Sequence, residues 1–224
     1  MRCALFFGSF NPIHFGHLNI ARFLLESCEI DQVRLIVSPK NPLKDASIIA
    51  DPALRLAQTT AEVAALPLPE ALKARISVSD VEFHLPSPLY TINTLRHIRK
   101  AEPENDHILV IGGDNIRIIE NWYKWDEMLR EFEIWVYPRG GVDDSGLCGQ
   151  YDSMPQTKKV RYLSNAPLYN ISSTEIRNST RKAHDGQEHL SALSLQGGRM
   201  RRCRHEGRYL HPYWTCVHHI SNPL

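Results

Sequence analysis

The sequence predicts an α/β fold, a doubly wound parallel sheet with helices on both faces, followed by an irregular C-terminal tail. Three observations point there. Apolar strand-length runs alternate with helix-period segments along most of the chain. The run His107-Ile108-Leu109-Val110-Ile111 is almost wholly apolar, as parallel strands covered on both faces are. The segment GSFNPIHFGHL, residues 8–18, joins an apolar strand to a helix through a glycine-bearing turn.

Taken in order, Ala4-Leu5-Phe6-Phe7 reads as a buried first strand. A helix follows with Leu18, Ile20, Ala21, Leu24 and Leu25 on one face. Val33–Val37 is a second strand, closed by Ser38-Pro39. Asp51-Pro52 marks a helix start, Asp as N-cap and Pro at the first helical position, ahead of Leu54, Leu56, Ala57 and Val63. Ile76-Ser77-Val78 is a short strand. Ser87-Pro88 opens a helix carrying Leu89, Ile92, Leu95 and Ile98. Phe132–Tyr137, stopped by Pro138, and Lys159–Leu163 complete the strands.

The chain has 224 residues, 42% hydrophobic and 23% charged, the make-up of an ordinary globular protein. Its net charge of +1 supplies no general attraction to nucleic acid or membrane, and neither is expected as a partner. No apolar run approaches the ~18 residues of a membrane span. The five cysteines are odd in number and scattered, which fits a reducing, cytoplasmic setting without a disulfide framework. From about residue 183 the composition shifts. Six of the eleven histidines fall in 184–219, alongside Gly197-Gly198 and Arg199-Met200-Arg201-Arg202. Two regions are therefore expected, 1–182 as the folded domain and 183–224 as an atypical tail. Cys203-x-His205 and Cys216-x-His218 do not have the spacing of a standard zinc finger.

Chemistry concentrates at two helix openings. A strand, a glycine turn and a helix start present backbone N–H groups and a positive helix end to an anion. His14 and His17, three apart, can face the same anion, and Gly16 allows a phosphate chain to approach the backbone. A histidine pair can also bind zinc or simply be solvated, but no further ligand stands nearby. The flanking glycines and the preceding strand favour phosphate. The second opening is Ile171-Ser172-Ser173-Thr174-Glu175-Ile176-Arg177. Ser172 and Glu175 have capping-box spacing, which a merely well-capped helix would also show. The hydroxyls and the Arg177 guanidinium suit a polyphosphate.

GSFNPIHFGHL contains the His-x-Gly-His signature of the nucleotidylyltransferase superfamily, and ISSTEIR resembles its second phosphate motif. Within the superfamily the chain resembles the bacterial nicotinate-nucleotide adenylyltransferase family, through four further segments. These are Ser38-Pro39-Lys40-Asn41-Pro42-Leu43-Lys44, Tyr90-Thr91-Ile92-Asn93-Thr94-Leu95, Ile111-Gly112-Gly113-Asp114 and Asn121-Trp122-Tyr123-Lys124-Trp125. The resemblance spans residues 1 to about 182 and implies a Rossmann-like sheet.

It also implies transfer of AMP from ATP to nicotinate mononucleotide, giving deamido-NAD and pyrophosphate. His14 and His17 would then contact the ATP phosphates, and Gly8, Ser9 and Phe10 would line the nucleotide. Gly112 and Asp114 would meet the adenosine side. Ser172, Ser173, Thr174 and Arg177 would hold the leaving pyrophosphate. Thr91 and Trp122 would receive the mononucleotide, with Lys44 a phosphate neighbour, and Mg2+ would be carried mainly by the ATP phosphates. His14, His17 and Arg177 would be the catalytic set. Trp125 reads as a packing residue, and on residues alone Asp114 reads equally as a helix cap.

Pantetheine-phosphate adenylyltransferase shares the first motif, and a non-catalytic nucleotide-binding module would share the binding groups. Against the former stand the Asn-Pro-Leu-Lys loop and Trp122. A dehydrogenase is disfavoured because the first turn lacks Gly-x-Gly-x-x-Gly. Tyr209-Leu210-His211-Pro212 resembles the start of the family's last helix, but 187–208 matches nothing in it. That departure leaves open the last helix and any homo-oligomer contact.

Overall fold

The computed structural model describes residues 1–39, 51–168 and Ser173. Six strands form one all-parallel sheet: β1 (Arg2–Gly8), β2 (Gln32–Val37), β3 (Ile76–Ser79), β4 (Asp106–Gly112), β5 (Glu133–Tyr137) and β6 (Lys159–Tyr162). Their order is β3-β2-β1-β4-β5-β6. The order reverses between β1 and β4, where Arg2 to Phe6 run in register with Asp106 to Val110. In a doubly wound sheet this switch point opens a crevice at the carboxyl ends of the two strands. Gly8 and Gly112 occupy those ends.

Seven helices accompany the strands among the described residues. They are α1 (Phe15–Ser27), α2 (Pro52–Ala64), α3 (Glu70–Lys73), α4 (Thr91–Ala101), α5 (Gly113–Ile116), α6 (Trp125–Glu131) and α7 (Ser145–Asp152). The two-residue period of β1 assigns its side chains to opposite cores. Ala4 and Phe6 join a cluster with Leu18, Leu24 and Leu25 of α1 and Val63 of α2. Cys3 and Leu5 join another with Ile92, Leu95 and Ile98 of α4, Met128 and Leu129 of α6, and Cys148 of α7. Both faces of the sheet are therefore covered, as its apolar strands require.

The α1 face is buried at all five positions the periodicity names. Asp51 caps α2 by accepting from the N–H groups of Ala53 and Leu54 at 2.9 and 3.1 Å, with Pro52 at the first helical position. The inner face of α2 departs from expectation. Leu54 is half exposed, while Arg55, Thr59 and Val63 are the buried residues. Their spacing of four defines the inward stripe, so this face is largely polar. The helix expected from Ser87-Pro88 begins later, at Thr91. Pro88 lies in the preceding turn, where its carbonyl accepts from the Tyr90 N–H at 3.0 Å. Ile92, Leu95 and Ile98 are buried as expected. The atypical tail expected over 183–224 lies outside the described residues. No helix among those described is long and apolar enough to cross a membrane.

Candidate active site

A cleft of about 420 Å³ lies over the carboxyl ends of β1 and β4. Its floor comes from Gly8 at the end of β1 with Ser9 and Phe10 after it, and from Gly112 at the end of β4 with Asp114 beyond it. The glycines are there for space. A Cβ on Gly8 would stand 2.7 Å from the Phe10 ring. One on Gly112 would stand 2.4 Å from an Asp114 carboxylate oxygen and 3.1 Å from the Tyr137 ring. Phe10 takes a left-handed backbone conformation, φ 39°, which folds its ring back over Gly8.

His14 is the N-cap residue of α1 and is buried, and His17 stands in the first turn, half-buried. The His14 backbone N–H donates to His17 Nδ1 at 3.4 Å. That bond keeps Nδ1 as the acceptor and makes Nε2–H the donor of the His17 ring. The two imidazoles lie with centroids 3.8 Å apart, and the Phe10 ring meets His17 edge-on at 5.2 Å. No acidic residue sits in the first turn of α1 to neutralise its positive end. His17 lines the large cleft, whereas His14 and Gly16 line a smaller adjoining recess that His17 shares.

The far end of the cleft is aromatic. Tyr90, Thr91, Trp122 and Tyr123 line it. Tyr90 and Tyr123 stack with centroids 4.3 Å apart. The Trp122 indole N–H has no hydrogen-bond partner among the described residues, an uncompensated donor of the kind that bound molecules satisfy. Trp125 packs in the core against α7, edge-on to Tyr151 at 6.1 Å.

Of the second motif, Ser173 is described. It lines the same cleft, and its hydroxyl donates to the Pro12 carbonyl of the first motif at 3.0 Å. Ser172, Thr174 and Arg177, like Lys44, lie outside the described residues.

Three cleft residues are not apparent from the sequence. Arg139 follows β5, lines both the cleft and the recess, and sits 3.5 Å from Asp114 and 3.4 Å from the Tyr137 hydroxyl. Burial works against its charge, but the neighbouring Tyr137 and Asp114 hold the guanidinium protonated. Burial pushes the Tyr137 phenol up, against the pull of the Arg139 cation. The third is Glu82, buried in a 3-10 turn, Val81–Phe83, and accepting from Thr94 Oγ1 at 2.9 Å. Burial pushes its carboxyl up, while the Ser38 and Thr94 hydroxyls pull the other way. An arginine after a strand stop was the one signal available for Arg139; Glu82 lies in a segment without periodicity.

The site therefore combines donors and cations at one end with stacking surface at the other. It contains no group of three or more His, Cys, Asp or Glu arranged to hold a metal among the described residues.

Comparison with known proteins agrees with this geometry. Residues 5–179 match the cytidylyltransferase-like family model. A Flavobacterium johnsoniae protein named "probable nicotinate-nucleotide adenylyltransferase" is 36% identical over 187 residues, 84% of this chain and 90% of that one. A Bacteroides thetaiotaomicron protein of the same name is 38% identical, over 83% of this chain and 84% of its own. Among solved structures, the Plasmodium falciparum nicotinic acid mononucleotide adenylyltransferase complexed with NaAD superposes with a TM-score of 0.62. It has 20% identity and covers 79% of this chain and 82% of that one, a likeness of fold. The chain thus belongs to the cytidylyltransferase-like family, among the relatives named nicotinate-nucleotide adenylyltransferase.

Proposed function

We propose that the chain is a nucleotidyltransferase that moves AMP from ATP to nicotinate mononucleotide, releasing pyrophosphate and forming deamido-NAD. One observation carries this reading. His17, at the positive mouth of α1, opens onto the same cleft whose far end holds Thr91 and Trp122. The names of the relatives support the same reaction.

In this reading a 5′-phosphate oxygen of the mononucleotide attacks the α-phosphorus of ATP. The bond from that phosphorus to the β-phosphate oxygen breaks, and pyrophosphate leaves. The nucleophile is already ionised, so no strong base is needed. Positioning and charge stabilisation supply the acceleration. His17 Nε2–H, with His14 beside it, meets the charge that grows on the α-phosphate oxygens. Ser173, held by Pro12, flanks the departing phosphates together with Ser172, Thr174 and Arg177. Gly8, Ser9 and Phe10 line the nucleotide, and Gly112 and Asp114 meet its adenosine. Trp122 stacks on the pyridine ring and Thr91 anchors it, with Lys44 near its phosphate.

Magnesium would screen the triphosphate charge when bound and would be carried mainly by the ATP phosphates, since the described residues gather no cluster of three carboxylate, His or Cys groups for it. The unit assigned this work is residues 1–182, and the setting is cytoplasmic.

The test is product identity. Full-length protein with ATP, Mg2+ and nicotinate mononucleotide is expected to give deamido-NAD and pyrophosphate in equal amounts by mass spectrometry. Pyrophosphate released with phosphopantetheine instead would contradict the reading.

A further inference from the structure

A buried polar chain runs beneath the cleft from the phosphate end to the aromatic end. Arg55, on α2, is fully buried and donates through Nη1 to the carbonyls of Ser9 and, at 2.9 Å, Ser38. Its Nη2 donates to the Pro39 carbonyl at 3.0 Å. Ser38 in turn donates its backbone N–H to the Gly8 carbonyl at 2.9 Å, and it lines the cleft together with Glu82, whose carboxyl its hydroxyl pulls down against burial. Glu82 accepts from Thr94 in α4, the helix whose first residue is Thr91. Arg55, Glu82 and Thr94 are each at most 4% exposed.

Burying a guanidinium and a carboxyl costs free energy that an apolar pair of similar volume would not. Such groups persist where directionality matters. A guanidinium fork satisfied by three carbonyls fixes the relative position of two loops in a way apolar packing cannot. The loops here are the one after β1, which carries Ser9 and Phe10, and the one after β2. The Glu82 carboxyl is bonded to Thr94 of α4 and stands beside Ser38 of the β2 loop on the cleft wall.

We propose that Arg55, Ser38, Glu82 and Thr94 form a strut that couples the ATP end of the cleft to the mononucleotide end, with Arg55 and Glu82 as positioning residues. The inference rests on the adenylyltransfer reading for the identity of the two ligands. Displacing one end of the strut shifts the loop or helix at the other. A residue that merely stabilised the fold would lower the melting temperature without this cross-effect. Shifts of order 1 Å at such a site cost up to ~100-fold in turnover.

The test compares Arg55→Lys, which keeps the charge and loses the fork, with Thr94→Val, which keeps the volume and loses the hydroxyl. Glu82→Gln serves as the conservative variant, since the Ser38 and Thr94 hydroxyls can each donate or accept. Binding of α,β-methylene-ATP and of nicotinate mononucleotide is measured separately by calorimetry in the full chain, with turnover in parallel. Arg55→Lys is expected to weaken mononucleotide binding, and Thr94→Val to weaken binding of the ATP analogue, each at least about threefold. Glu82→Gln stays within about twofold of wild type on both, since it keeps the side-chain volume and the bond to Thr94. Variants that melt earlier yet bind both ligands as wild type does would overturn the strut. So would variants that weaken only the nearer ligand. Wild type that binds both nucleotides and releases no pyrophosphate would overturn the adenylyltransfer reading alone, and the cross-binding result would still decide the strut.

Discussion

His14 and His17 lie side by side at the mouth of α1, ring centroids 3.8 Å apart and tilted by 33°, with the backbone of the first bonded to Nδ1 of the second. The pair is one unit: the backbone of His14 sets the tautomer of His17, and its ring sets the neighbour's position. Replacing His14 by Ala removes the ring but keeps the backbone donor. His14→Ala is expected to lower kcat about 10- to 100-fold, because a stabilising group near the developing charge is lost while the tautomer of His17 is kept. Steady-state pyrophosphate release checks this, and unchanged kcat would assign His14 to packing.

Trp122 separates the two substrates energetically. Trp122→Ala is expected to raise the KM for the mononucleotide about tenfold, the worth of one stacked base, with the KM for ATP changed far less. Trp122→Phe restores most of the loss. Equal increases for both substrates would mean that the ring supports the fold of the cleft rather than a ligand.

Glu82 makes a prediction about pH. Burial raises its carboxyl above the ordinary value, so the folded state holds the proton more tightly than the unfolded state does. Its contribution to stability is full below the unfolded pKa and declines as pH rises through the folded one. Glu82→Gln never carries the charge. The variant is therefore expected to melt at or above the wild-type temperature at pH 7–8, with the advantage shrinking as the pH is brought below the ordinary glutamate value of about 4.5. Thermal scans at several pH values check the sign. A variant less stable than wild type at pH 8 would contradict it.

Much of the sheet is legible in the sequence because its strands are apolar on both faces. Ala4-Leu5-Phe6-Phe7 and His107–Ile111 need no context to read as buried strands. Asp51-Pro52 is legible because capping is local chemistry. Helices α6 and α7 were not, since each is short and buries only two residues: Met128 and Leu129 in one, Cys148 and Tyr151 in the other. Two glycines within α7 weaken its signal further.

The cleft divides in the same way. Gly8, His17, Gly112, Thr91 and Trp122 sit in recognisable segments and meet at one place. Arg55 is different. An arginine on a helix reads as solvent-facing, and the carbonyls that bury it come from residues 9, 38 and 39, apart in sequence and joined by the fold. Leu54, apolar and adjacent, faces outward instead.

The central claim is that this cleft does chemistry on ATP and does more than hold it. The most direct measurement is turnover with ATP and nicotinate mononucleotide, set beside calorimetric affinity for the ATP analogue, in wild type and His17→Ala. The expected result is a fall in kcat of about 100- to 1,000-fold with affinity for the analogue within about threefold of wild type, as for loss of a donor aimed at the transition state. Undiminished turnover in His17→Ala, or a loss of affinity that accounts for the whole fall, would contradict it.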